Sequence, residues 1–144
     1  MLRRLPLVPF IKDFGGEAAV INVNNAANAN TNFRTALWTG NNAQLTLMSI
    51  PPRSEIGEEI HLELDQFIRV ENGRALIVWE VTQNSPRIQR YAFKNDVFFI
   101  PAGTRHNIIN IGHTALKLSS VYAPPNHPFG TAQKTKQEAD AAEQ

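Results

Sequence analysis

The sequence predicts an all-β sandwich or barrel of antiparallel strands. From Phe33 onward, roughly nine or ten short apolar or alternating runs follow one another, with turn signals every 8–12 residues or so. Asn72-Gly73 stands between two of these runs, and an Asn-Gly pair in that position is the strongest short-range hairpin signal. Only the tail after Gly130, rich in Gln, Lys, Glu, Asp and Ala, has a helical composition.

The elements follow in order. Residues 1–17 form an irregular lead-in ending at Gly15-Gly16, and Ala18 to Val23 is a short strand candidate. Residues 24–32 are rich in asparagine, whose side chain bonds nearby backbone, so a loop or a short frayed helix is expected there. Thr35–Thr39 reads as a strand closed by Gly40-Asn41-Asn42, and Leu45–Ile50 as one that stops at Pro51-Pro52. Gln66–Glu71 and Arg74–Val81 flank Asn72-Gly73. Arg87–Phe93, Val97–Ile100, His106–Ile111 and Ala115–Tyr122 complete the series, the last two around Gly112-His113, which reads as a hairpin turn exposing His113. There is no internal repeat. The organisation expected is an N-terminal arm and loop over 1–32, packed on the barrel or on a partner subunit, a barrel over 33–130, and a polar helical or frayed tail over 131–144.

Composition narrows the function. The 144 residues carry 14 basic and 13 acidic side chains, a formal charge of +1, which argues against a nucleic-acid binder needing a basic field. The absence of cysteine excludes disulfides, zinc ribbons, iron–sulfur clusters and cysteine nucleophiles. Any transition metal must be held by the four histidines, carboxylates or amides. No apolar run approaches the roughly 20 residues of a membrane span. Met1–Ile11 superficially resembles a signal peptide, but it holds two prolines and runs into Lys12-Asp13 rather than a small-residue cleavage site, so a cytoplasmic location is expected.

Two segments carry chemistry, Gly57–Gly73 and Pro101–Asn110. Residues two apart in a strand share a face, so Glu59 and His61 project together. A tight turn through Leu62–Asp65 would return Gln66 beside them. Gln66 shares its face with apolar Ile68 and Val70, an inward position where an amide needs a partner. His106 opens a strand whose same-face neighbours are Ile108 and Asn110. A histidine, a glutamate and a glutamine converging inside a small β-barrel suit a divalent metal.

These two segments resemble the paired motifs of the cupins. The second motif is matched at Pro101, Gly103, His106 and Asn110, with Asn95 where the family has its leading glycine. Asparagine suits that position if the turn needs the left-handed conformation. The first motif is matched in spacing and altered in chemistry. Gly73 closes it, Gln66 replaces the family's glutamate, His61 is its second histidine, Glu59 replaces the first, and Arg53 takes the leading glycine's place. Phe33–Gly40, Leu45–Ile50 and Tyr122–Pro125 are further similar to a group of small single-domain bacterial cupins, mostly uncharacterised.

The resemblance implies an antiparallel jelly-roll barrel, or double-stranded β-helix, with a ligand cavity opening at one end. It implies Glu59, His61, Gln66 and His106 as metal ligands. Two histidines and one carboxylate leave positions open, as on non-haem iron, while Gln66 would be a weak fourth ligand or a donor behind the ligands. The metal would be Fe, Mn, Ni or Zn. Failing a metal, the four side chains would form a hydrogen-bonded polar cluster.

Other residues are weighed beside these. Trp79 and Tyr91 are candidates to line the cavity if the barrel is open, as is Asn110. Arg105 is a candidate for a substrate carboxylate or phosphate at the mouth, and His127, in a proline-rich segment, for a lid. Arg69 and Glu71 read as outward residues. Phe67, Phe98 and Ile100 read as lying opposite the inner set, so that one sheet needs an outer cover. A second copy is the simplest cover, since cupins commonly dimerise through a sheet, and Leu5–Ile11 could add an edge strand there. Three functions follow. One is a metal-dependent oxygenase or isomerase of a small oxygenated substrate, with Glu59 as base if it is not a ligand. The second is a non-catalytic small-molecule binder or sensor without a metal. The third is an interaction protein whose barrel is collapsed and dry.

Overall fold

The computed structural model describes residues 11–143, so most of the expected Leu5–Ile11 edge strand lies outside the described residues. Nine strands occur among them: β1 (Arg34–Thr39), β2 (Gln44–Ile50), β3 (Asp65–Asn72), β4 (Ala75–Glu80), β5 (Arg87–Ala92), β6 (Val97–Ile100), β7 (His106–Asn110), β8 (Leu116–Ala123) and β9 (Ala132–Gln133). Two short helices, α1 (Val23–Ala29) and α2 (Lys136–Ala142), flank the series. The strands form a six-stranded sheet in the order β6-β3-β8-β2-β1-β9 and a three-stranded sheet in the order β5-β4-β7. Every pairing is antiparallel, and the chain crosses repeatedly from one sheet to the other, as in a jelly roll.

Alternation along the strands decides what fills the space between the sheets. Met48, Ile50, Ile68, Val70, Ile77, Ile108, Leu116 and Leu118 point inward and form the main core. Phe98 and Ile100 belong to it too, contrary to the expected outer placement. They lie directly opposite Ile68 and Gln66 across the β3–β6 ladder, and opposed residues share a face. The outward pair on these strands is Phe67 and Phe99, with ring centroids 5.9 Å apart.

A second core lies outside the large sheet. Leu37 and Leu47 pack there under Ala26 and Ala27 of α1, with Ile11 and Phe14 beside them. Part of the cover expected from a partner is therefore supplied by this chain's own N-terminal segment. The asparagine-rich stretch makes the helix, with the Asn22 side chain accepting from the Asn25 N–H at its start. The strand expected over 18–23 does not form. Val20 is fully exposed there, and a strand without a neighbour to pair with gains nothing from β propensity. Beneath α1, Glu71 is 0% exposed rather than outward in solvent, and accepts from Ser119 Oγ at 2.6 Å and Asn24 Nδ2 at 3.0 Å.

Neither expected hairpin at Asn72-Gly73 nor at Gly112-His113 forms, because β3 and β4, like β7 and β8, belong to different sheets. A two-residue type I′ turn needs positive φ at both central residues; Gly73 has φ 108°, while Asn72 is not among the positive-φ residues. The hairpins that do form are β1–β2, closed by Gly40 N–H donating to the Ala43 carbonyl, and β4–β5. Asn95 and Arg53, which stand where the family pattern has glycine, both have positive φ, 78° and 65°.

Candidate metal centre and cavity

Residues 55–61 run along the free edge of β7. Glu59 and His106 lie directly opposite each other and exchange both backbone hydrogen bonds, each 2.9 Å. Their side chains therefore share the inner face. Two residues on, the His61 carbonyl accepts from Gly103 N–H at 2.7 Å, tying the segment to the Pro101–Gly103 turn. One ligand atom from each of Glu59, His61 and His106 falls within 4.8 Å of the others. Glu59 Oε2 is 3.4 Å from His61 Nε2 and 3.9 Å from His106 Nε2.

The hydrogen bonds set the donor atoms. His106 Nδ1 lies 2.9 Å from the Thr104 carbonyl, which can only accept, so Nδ1 carries the proton and Nε2 presents its lone pair. Burial pushes the His106 pKa down despite the Thr104 carbonyl and Glu59, which favours the neutral ring. Burial works against the charge on Glu59, but His61, the Arg34 guanidinium and His106 outweigh it and hold the carboxyl below its usual range. The Nε2 atoms of both histidines are buried without a hydrogen-bond partner. Buried polar atoms left in this way are costly unless something occupies the space between them, and with a carboxylate facing them they fit a divalent cation.

Gln66 approaches from the other sheet. The tight return beside His61 does not occur, because β3 pairs with β6 and β8, while residues 55–61 pair with β7. Gln66 Nε2 donates to Ser120 Oγ at 2.8 Å, and its buried Oε1 has no partner. In register beside it is Tyr122, whose ring lies edge-on to His61 at 6.0 Å.

A cavity of about 790 Å³ opens above Glu59 and His61, walled by Ile60, His127, Gln133 and Glu143 among others. The mouth reaches Glu59 and His61, while Gln66 and His106 are buried behind its wall. The remaining candidates divide. His127 is in the cavity wall, its ring 5.2 Å from Tyr122. Trp79 lies opposite His106 in the β4–β7 register but packs on Phe98 at 5.1 Å, as core rather than wall. Tyr91 is a correction: it is opposite Leu76 on the outer face of the small sheet and 67% exposed. Asn110 is a second. It points inward, but its amide donates to the Ile50 and Thr114 carbonyls and accepts from Gly112 N–H, so it secures a turn remote from the mouth. Arg105 is a third; it is exposed beside inward-facing His106 and absent from the cavity wall.

Sequence reasoning missed Arg34. It is 2% exposed, with Nη1 donating to Gln133 Oε1 at 3.0 Å and Nη2 3.9 Å from Glu59 Oε1. The signal was available: Arg34 shares strand parity with Ala36, which reads as inward once β1 is started one residue earlier. Gln133 and Glu143 were hidden by the polar composition of the tail.

No model of a known protein family matches the sequence. The uncharacterized protein YrkC of Bacillus subtilis is 49% identical over 133 residues, 92% of this chain and 72% of that protein. The crystal structure of BH2720 from Bacillus halodurans superposes with a TM-score of 0.88 at 46% identity, covering 91% of this chain and 99% of that one. At the level of fold alone, the cupin domain of Schizosaccharomyces pombe Cnp3 matches with a TM-score of 0.51 at 19% identity, over 58% of this chain and 54% of that one.

Proposed function

The chain belongs to the family of YrkC and has the jelly-roll fold of the cupins, and from that premise we propose that it holds a divalent metal through Glu59, His61 and His106 and acts on a small oxygenated molecule in the cavity above them. The observation that carries the reading is the pair of buried Nε2 atoms that face the Glu59 carboxylate at 3.4 and 3.9 Å without a hydrogen-bond partner. Gln66 Oε1, buried and also unpartnered, is the fourth donor or a hydrogen-bond acceptor beside it. A bound ion of the Fe, Mn, Ni or Zn type would supply Lewis acidity or a site for oxygen, in the manner of isomerases and oxygenases.

The chain's own residues prepare that chemistry. Thr104 fixes the His106 tautomer, and His61 together with Arg34 holds the Glu59 carboxyl below its usual range. Tyr122 is buried against His61, and burial raises its phenol pKa, so it stays a neutral proton donor. The metal-free binder is the second reading; it is favoured by the neutral amide at Gln66, which leaves the donor set a single negative charge. Among the described residues no helix is long and apolar enough to cross a membrane.

Elemental analysis separates the two. Protein purified without chelator and reconstituted with Fe(II), Mn(II), Ni(II) or Zn(II) should retain about one equivalent of at least one metal, with His61→Ala and His106→Ala each losing at least about tenfold in affinity. Equally negligible metal in all three proteins removes the metal from the reading.

A further inference from the structure

A charged side chain just behind the cavity wall says more about what enters the cavity. An arginine offers two forks for a planar anion: the end of the guanidinium, and the side formed by Nε and Nη2. In Arg34 the end is partly engaged, since Nη1 donates to Gln133 Oε1. The side is open. Nε is buried with no hydrogen-bond partner, and Nη2 makes no hydrogen bond among the described residues. The nearby carboxylate does not fill this edge, because Glu59 Oε1 stands 3.9 Å from Nη2, beyond hydrogen-bonding reach. A buried N–H without an acceptor costs free energy, and a buried guanidinium with an unfilled fork costs more. Arg34 is not itself in the cavity wall, but Glu59 and Gln133, which flank its guanidinium, are.

We propose that the small molecule taken by this cavity carries a carboxylate, received side-on by Nε and Nη2 of Arg34. This deepens the reading above, because it assigns the ligand's anionic end to the same cavity as the metal ligands. The acidic groups at the rim sharpen the point. Glu58, Glu59 and Glu143 line the cavity, so an anion would be repelled there unless a cation received it, and Arg34 is the buried cation available beside Glu59.

The test compares two probes of the same shape, isobutyrate and the uncharged isobutyramide, on the full chain. The arginine Nε–H signals are followed by NMR, with Arg34 assigned by the signal missing from Arg34→Gln. Isobutyrate is expected to shift the Arg34 Nε–H signal saturably and to bind at least about tenfold more tightly than isobutyramide. Arg34→Lys should keep part of that preference and Arg34→Gln should abolish it. Equal affinities in the wild type, or a preference that survives Arg34→Gln, would overturn the proposal. The wild-type comparison decides even if both variants fold poorly. Zn(II) titrated into the wild type without either probe reads the metal site separately, so failure to bind zinc counts against the metal reading while the carboxylate comparison stands.

Discussion

His127 is the residue where acid should act first. Its ring stands edge-on to Tyr122, and burial, helped by the charge of Arg34, pushes its pKa from the ordinary 6.5 down to about 4. Between those values the unfolded chain binds a proton that the folded chain refuses. Stability is therefore complete above pH 6.5 or so and falls as the pH drops toward 4. The contribution is about 1–3 kcal/mol, discounted because the ring keeps some contact with water. His106, also shifted downward by burial, acts in the same direction. Urea unfolding of the metal-free protein should show the wild type losing stability between pH 7 and pH 5, and His127→Phe losing visibly less. An identical loss in the two proteins would assign the effect to other groups.

At the scale of the element, α1 is held by a buried carboxyl group as well as by its alanines. Glu71 receives Ser119 Oγ and Asn24 Nδ2, and Arg69 Nε is 3.7 Å away. Glu71→Ala removes the acceptor of the buried Ser119 hydroxyl and leaves Asn24 Nδ2 only the Glu71 backbone carbonyl, and should cost about 2–4 kcal/mol in urea unfolding, with Glu71→Gln recovering part of it. A loss below 0.5 kcal/mol or so would mean that water replaces the carboxylate freely. This carboxylate also marks the limit of what the sequence makes legible. Strand positions were readable, because alternation and turn residues are local, and so was the spacing of Glu59, His61 and His106, because motif spacing is linear. Pairing was not readable. Gly73 reverses the chain between sheets rather than within one, and the partners of β3 are β6 and β8, far along the chain. Glu71 faces outward as its parity requires, and only the docking of α1 buries it. Arg34 escaped for a related reason: an arginine at a strand start looks like a surface residue until the other sheet is seen above it.

On the scale of the whole molecule, the outer face of β3 and β6 is left uncovered among the described residues. Phe67 and Phe99 stand there in ring contact, Phe99 71% exposed, with Val97 beside them on an edge strand. A contiguous aromatic patch on a sheet face is where a second copy of the chain is expected to dock. Sedimentation velocity should find a homodimer, and Phe99→Glu, a cheap change at an exposed position, should shift it toward monomer without loss of thermal stability in the monomer itself. A wild type that sediments as a monomer across the micromolar range would reject this interface.

The reciprocal backbone pairing of Glu59 with His106 has one more consequence. Two of the three donors are mounted on a ladder rung, so the distance between their attachment points belongs to the peptide backbone and not to the side chains. The chain thus works like an optical bench with a fixed post at position 59. Carboxylate, imidazole or amide can be exchanged on that post while its footing stays in place, which lets the influence of donor chemistry on ion preference be read apart from the influence of geometry.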